Sequence, residues 1–122
     1  MNTTPAEMTA RTKRSALELI QASEKALPDA ASKVMWRPLL RAGTSAGANH
    51  RAACRARSPA DFISRISVVE EEADESGYGL ERLMKSGRLA SATGEQLHRE
   101  AGELTASRVA SASTAHGGPR RG

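Results

Sequence analysis

Apolar residues recur every three or four positions through most of this chain, which is the spacing of a buried stripe on an α-helix. The pattern is clearest between positions 62 and 83, where steps of four and three alternate without interruption. Such a seam is typical of a helix that packs at a shallow angle against its neighbours. The seam positions are Phe62, Ile66, Val69, Ala73, Ser76, Leu80 and Leu83.

Start and stop signals divide the chain into four predicted helices. Ser58 can cap a helix whose first residue is Pro59, and Gly87 is a suitable stop after it. Pro28 ends the helix before it, because the residue preceding a proline is pushed out of the α region. Pro38 predicts a kink or a restart inside the second helix. We expect helices at about 6–26, 30–56, 59–86 and 93–111, within one domain of residues 1–112 that is followed by a disordered basic tail at 113–122.

The composition favours an all-α protein with a thin core. Of the 122 residues only 2% are aromatic, so leucine, isoleucine, valine, methionine and alanine must fill the interior. A small domain with so little bulk buries a modest area, and we therefore expect self-association. Residues 42–48 are all small and include Gly43 and Gly47. Because glycine weakens a helix, this segment makes sense where another helix approaches its backbone closely.

The cysteine count and the hydropathy indicate a cytoplasmic protein. Cys54 is the only cysteine, so an internal disulfide and a cysteine-based metal site are excluded. We expect its thiol to be buried and inert. No apolar run reaches the roughly 20 residues that span a bilayer, and the polar N-terminus lacks the apolar segment of a signal peptide. We expect no membrane association.

Charge is distributed unevenly around a net value of +4. Residues 28–57 carry six basic residues and one acid, whereas residues 58–87 carry three basic residues and seven acids. Guanidinium groups suit phosphate by shape and charge, and clustered basic residues are the usual footprint of nucleic-acid binding. The candidate nucleic-acid-binding residues are His50, Arg51, Arg55 and Arg57.

A second interpretation of the charges is structural pairing. If the second and third helices fold back on each other, Arg41 lies opposite Asp74 or Glu75, and we assign Arg37, Arg41, Asp74 and Glu75 to such pairs. The acids at 70–75 flank the apolar seam and lack the Glu-x-x-His pattern of bundle metal sites, so we predict no metal. No base, nucleophile and orienting group can be assembled, and we predict a non-enzymatic protein without a cofactor.

Two segments resemble a known family. The run RAGTSAGANHRAACRARSPADF at 41–62 looks like the signature of the four-helix-bundle proteins encoded in intervening sequences of bacterial 23S ribosomal RNA. The acids at 70–75, followed by Tyr78, Leu80 and Glu81, are similar to the third-helix motif of that family. In this chain Gly79 stands where relatives tend to have a large aromatic residue, which predicts a looser core. We expect Trp36 to pack against Tyr78 and to replace some of the missing bulk.

The resemblance implies an up-and-down antiparallel four-helix bundle in a bacterial cytosol, assembled as a ring-like homopentamer. One branch of the family is the accessory variability protein of diversity-generating retroelements, which works with a reverse transcriptase and its RNA. The implied partners are therefore further copies of this chain, RNA or DNA, and a reverse transcriptase. The alternative is a purely structural or protein-interaction subunit whose arginines pair with acids of neighbouring copies.

Overall fold

The computed structural model describes residues 4–115, with side chains for residue 4 and residues 6–103. This part of the chain contains no strand and forms four α-helices. Neighbouring helices run in opposite directions. On α1 and α2, for example, Leu19 contacts Gly43, whereas Thr12, earlier on α1, contacts Gly47, later on α2. Each helix packs on the next, and α1 also packs on α4, as in an antiparallel bundle. The bounds are α1 Pro5–Ser23, α2 Ala30–Cys54, α3 Pro59–Lys85 and α4 Ser91–Ala115.

Local capping fixes the helix ends. The side chain of Ser58 accepts a bond of 3.1 Å from the amide of Asp61, and Asp29 caps α2 by accepting 3.0 Å from the amide of Ser32. At the end of α3, Gly87 has φ 77°, and the amide of Arg88 donates back to the carbonyl of Leu83 at 2.9 Å. This pair of features is a Schellman motif, in which glycine accepts a backbone conformation that other residues avoid.

The helix limits differ from the expected ones at several ends, and α4 begins at Ser91 instead of position 93. The first helix ends at Ser23, since the amides of residues 24–26 bond three residues back and tighten the chain into a turn. The second ends at Cys54. Residues 113–115 of the predicted tail belong to α4, whereas residues 116–122 lie outside the described part of the chain.

Pro38 lies within α2 and does not restart it, so that alternative was wrong. A proline at this position removes the hydrogen bond to the carbonyl of Val34. The side chain of Val34 is 70% exposed, so water can reach this side of the helix and replace the missing amide.

The large apolar side chains of the core gather near the end of the bundle that holds the α3–α4 connection. Leu39 is 1% exposed and packs against the backbone of Gly79, where an added Cβ would lie 3.3 Å from the Leu39 Cβ. Tyr78 is 61% exposed and does not replace missing bulk; its ring lies 5.2 Å from the guanidinium of Arg82. The core cluster consists of Leu19, Trp36, Leu39, Leu80, Leu83 and Leu97.

Nearer the α2–α3 connection, α2 contributes mainly small residues to the interior, whereas α3 contributes Ile66 and Val69. Ala46 and Ala53 are buried on α2, and Ala73 is buried on α3. The Cδ1 of Leu19 occupies the space that a side chain at Gly43 would need, which confirms the expected close approach of another helix to the small-residue segment. None of the described helices is long and apolar enough to cross a lipid bilayer.

Candidate nucleic-acid interface

Three arginines cluster where α2 meets α3. Arg51 and Arg55 are one helical turn apart, so they share one face at the end of α2, and Arg57 lies in the connection to α3. All three are exposed. Within the side chains that the structure describes, none of them forms an ion pair. We call Arg51, Arg55 and Arg57 the arginine cluster.

The acid nearest to the arginine cluster in sequence, Asp61, is occupied by other groups. Its Oδ1 accepts a bond of 3.1 Å from Nε of Arg65, one turn further along α3. Its Oδ2 lies 3.4 Å from the backbone amide of Arg57. The carboxylate therefore serves the start of α3, and the guanidinium groups of the cluster remain available to an external anion.

His50 does not belong to this surface, which corrects the sequence-based assignment. Its side chain is 6% exposed because it continues the buried stripe of Ala46 and Ala53 on α2. Cys54 is exposed, contrary to expectation, and its Sγ lies 3.9 Å from Nε2 of His50. The buried and exposed positions of these two residues are thus reversed relative to the prediction.

The residues assigned to structural pairing are only partly brought together. Nη2 of Arg41 lies 3.1 Å from Oε2 of Glu75, with both side chains well exposed. Such a surface pair contributes little, about 0–1 kcal/mol. Arg37 and Asp74 are also exposed and form no ion pair with any described side chain.

One polar contact between α2 and α3, in which Glu72 is the acceptor, was not predicted from the sequence. Glu72 accepts hydrogen bonds from the hydroxyl of Ser45 and, at 2.9 Å, from the amide Nδ2 of Asn49. Glu72 was expected only to flank the seam. The register that sets Arg41 opposite Glu75 also sets position 45 opposite position 72, and this signal could have identified the contact.

Four arginines elsewhere in the described structure form ion pairs with acids, whereas Arg14, Arg37, Arg82 and Arg99 do not. Arg11 on α1 contacts Glu100 at 3.2 Å and Glu103 at 2.7 Å on α4. Arg88 contacts Asp29 at 2.8 Å. Within the described residues, no three histidine, cysteine, aspartate or glutamate side chains converge so that they could hold a metal ion. The arginine cluster is thus distinguished by the number of exposed arginines without ion pairs that it brings together within seven positions.

The fold is similar to a crystal structure of a protein of unknown function from the S23 ribosomal protein family of Bacteroides thetaiotaomicron. The TM-score is 0.80 and the sequences are 27% identical, over 86% of this chain and 97% of that chain. No protein-family profile matches the sequence, and no curated protein is a significant match. This structural similarity supports a helical bundle of the kind found in that S23-family protein.

Proposed function

We propose that this protein is a non-enzymatic, cytoplasmic helical bundle that contacts the phosphate backbone of RNA or DNA through the arginine cluster. The observation that carries the proposal is the grouping of three exposed arginines, Arg51, Arg55 and Arg57, within seven positions, none of them in an ion pair with a described side chain. Guanidinium groups held in this way can each engage a phosphate.

The recognition proposed here is independent of sequence. Aromatic platforms that stack on bases are a usual element of single-strand recognition, and Trp36 is buried while Tyr78 lies against Arg82. Contacts restricted to phosphates position a nucleic acid but do not read its bases. With three phosphates neutralised per chain, the logarithm of the affinity should fall with the logarithm of salt with a slope of about −2 to −3.

The test measures RNA binding by fluorescence anisotropy over a series of salt concentrations. The Arg51→Ala/Arg55→Ala/Arg57→Ala variant should lose binding and most of the salt slope. The matched control is Lys33→Ala/Arg37→Ala/Arg41→Ala, which removes the same charge from the first half of α2. The control should keep most of the binding. Equal losses in both variants, or no binding by the wild type at low salt, would contradict the proposal.

The assembly state and the protein partner form the second part of the proposal. We propose a ring-like homopentamer that acts as an accessory subunit of a reverse transcriptase and its RNA, and this part rests on the family resemblance. Repetition of the arginine cluster around a ring would raise the affinity for a long polynucleotide through multivalency. Native mass measurement before and after nuclease treatment gives the number of subunits and any bound polynucleotide. A monomer at every concentration tested would refute the ring.

The unpaired acids of α3 favour a second candidate function. Glu71 and Asp74 are exposed and form no ion pair with a described side chain. Arginines of one copy could therefore pair with these acids on the next, making the protein a structural or protein-interaction subunit. In that case the triple variant of the arginine cluster should dissociate the oligomer, and the wild type should show no salt-dependent RNA binding.

A further inference from the structure

Helix α1 contributes few large apolar groups to the bundle. Its inward positions in the described part are Met8, Thr12, Ser15 and Leu19, so two hydroxyl residues occupy the middle of its buried face. Leu17, by contrast, is 52% exposed. Since stabilisation by burial scales with the apolar area removed from water, α1 gains little from its contact with the other helices.

The space beneath the middle of α1 is incompletely filled. A cavity of about 20 Å³, roughly the volume of one water molecule, lies against Thr12 and Ser15. Its other walls include Gly43 on α2 and Ser76 on α3. Leucines from three helices also line the cavity, so the unfilled space itself is what removes dispersion contacts from this layer.

Contact between α1 and α4 is also limited. A groove of about 580 Å³ opens between the second half of α1, at Glu18 and Gln21, and the start of α4, at Thr93 and Gln96. Further along, Arg11 pairs with two glutamates of α4. Partly exposed ion pairs of this kind add little to stability.

The other three helices share a more extensive apolar core. Leu19 is the only member of the core cluster that comes from α1, while Trp36, Leu39, Leu80, Leu83 and Leu97 join α2, α3 and α4. Regions with few buried apolar contacts are those that open at the lowest free-energy cost.

We propose that α1 opens as a separate unit while α2, α3 and α4 stay folded, and that this opening uncovers the face of α2 that carries His50. Gly43 and Gly47 lie beneath Leu19 and Thr12 of α1. His50 follows them at the next helical step, so it lies on the same face of α2. In the open form the imidazole of His50 is exposed beside the arginine cluster. The position of α1 therefore determines whether His50 is part of that surface.

Hydrogen exchange of the full chain, resolved by residue, tests the proposal. In the wild type, amides of α1 should exchange about tenfold or more faster than the buried amides of α2 and α3. Gly43→Ala places a methyl group in the space held by Leu19 and should accelerate α1 about tenfold further, leaving α2 and α3 within about twofold. The matched control is Gly47→Ala, which adds the same methyl 3.4 Å from the nearest atom and should leave exchange of α1 within about threefold.

The rate of chemical modification of His50 measures the exposure of this face of α2 directly. Diethyl pyrocarbonate should modify His50 faster in Gly43→Ala than in Gly47→Ala, as resolved by peptide mass spectrometry. Alkylation of Cys54, which is exposed in the closed form, should proceed equally in both variants. The proposal is overturned if wild-type α1 exchanges as slowly as α2 and α3. It is equally overturned if Gly43→Ala accelerates all helices together or abolishes folding, because α1 would then belong to one cooperative unit.

Discussion

Replacing Leu39 by alanine removes a side chain that is 1% exposed and packs directly on the backbone of Gly79. The loss combines the transfer free energy of the deleted groups with the cost of the cavity left behind, and for buried leucines it amounts to about 2.7–5 kcal/mol. We expect a value near the upper half of this range, about 4 kcal/mol, because the helix backbone at Gly79 cannot move inward to fill the space. The control, Leu17→Ala, truncates a side chain that is 52% exposed and should change the free energy of unfolding by about 0.5 kcal/mol.

A second substitution extends this prediction. In the wild type, Gly79→Ala should be close to neutral, because a gain in helix propensity of about 1 kcal/mol opposes a contact of 3.3 Å with the Leu39 Cβ. After Leu39→Ala the new methyl can use part of the cavity, and the double variant should be about 1 kcal/mol more stable than Leu39→Ala alone.

Urea unfolding followed by circular dichroism, at one fixed protomer concentration, measures all four proteins of this cycle and the control. For a chain of this size each kcal/mol corresponds to about 4–8 °C in Tm. A loss below about 1.5 kcal/mol for Leu39→Ala would show that the bundle relaxes around the truncated side chain, which contradicts the fixed contact between α2 and α3.

The remaining predictions concern the helix ends. Hydrogen bonds from Ser32 and from the guanidinium of Arg88 lower the pKa of Asp29 from 3.8 to about 2. Because the folded-state pKa lies below the unfolded value, this stabilisation is present above pH 3.8 and is lost as the pH falls towards about 2. Urea titrations across that range should therefore show the free energy of unfolding of the wild type approaching that of Asp29→Asn. A constant difference between the two proteins would contradict the linkage. Gly87→Ala forces a side chain into φ 77° and should cost about 1 kcal/mol, whereas an unchanged unfolding midpoint would mean that the α3–α4 connection adopts another conformation.

Local signals in the sequence identified the start of α3 correctly. Ser58 caps the helix and Pro59 occupies its first turn, because both effects depend only on residues that are neighbours in the chain. The α3 seam was also visible, since Ile66, Val69 and Leu80 stand out from polar neighbours. Phe62, its first member, is only half-buried, because it lies at the end of the bundle.

The side of α2 that faces the core was harder to predict. Its buried stripe passes through Ala42, Ala46, His50 and Ala53, and these residues give almost no hydropathy signal. The neighbouring arginines therefore dominated the interpretation of His50. Counting helical turns from Trp36 places position 50 on the buried face, so the spacing alone predicts that His50 is buried although its residue type does not. Leu39 fills the space at Gly79, which no local pattern reveals, and Tyr78 at the adjacent position is exposed.

The hydrogen bonds to Glu72 have a consequence for how the chain selects its fold. Alanine and glycine surfaces are nearly interchangeable, so sliding α2 by one turn along α3 would exchange one small-residue contact for another. Ser45 and Asn49, four positions apart, meet the carboxylate together in a single alignment. A slipped hairpin would leave that charge partly buried and without donors, which is costly. This acid thus acts together with the Leu39–Gly79 contact to distinguish the correct alignment from its near copies.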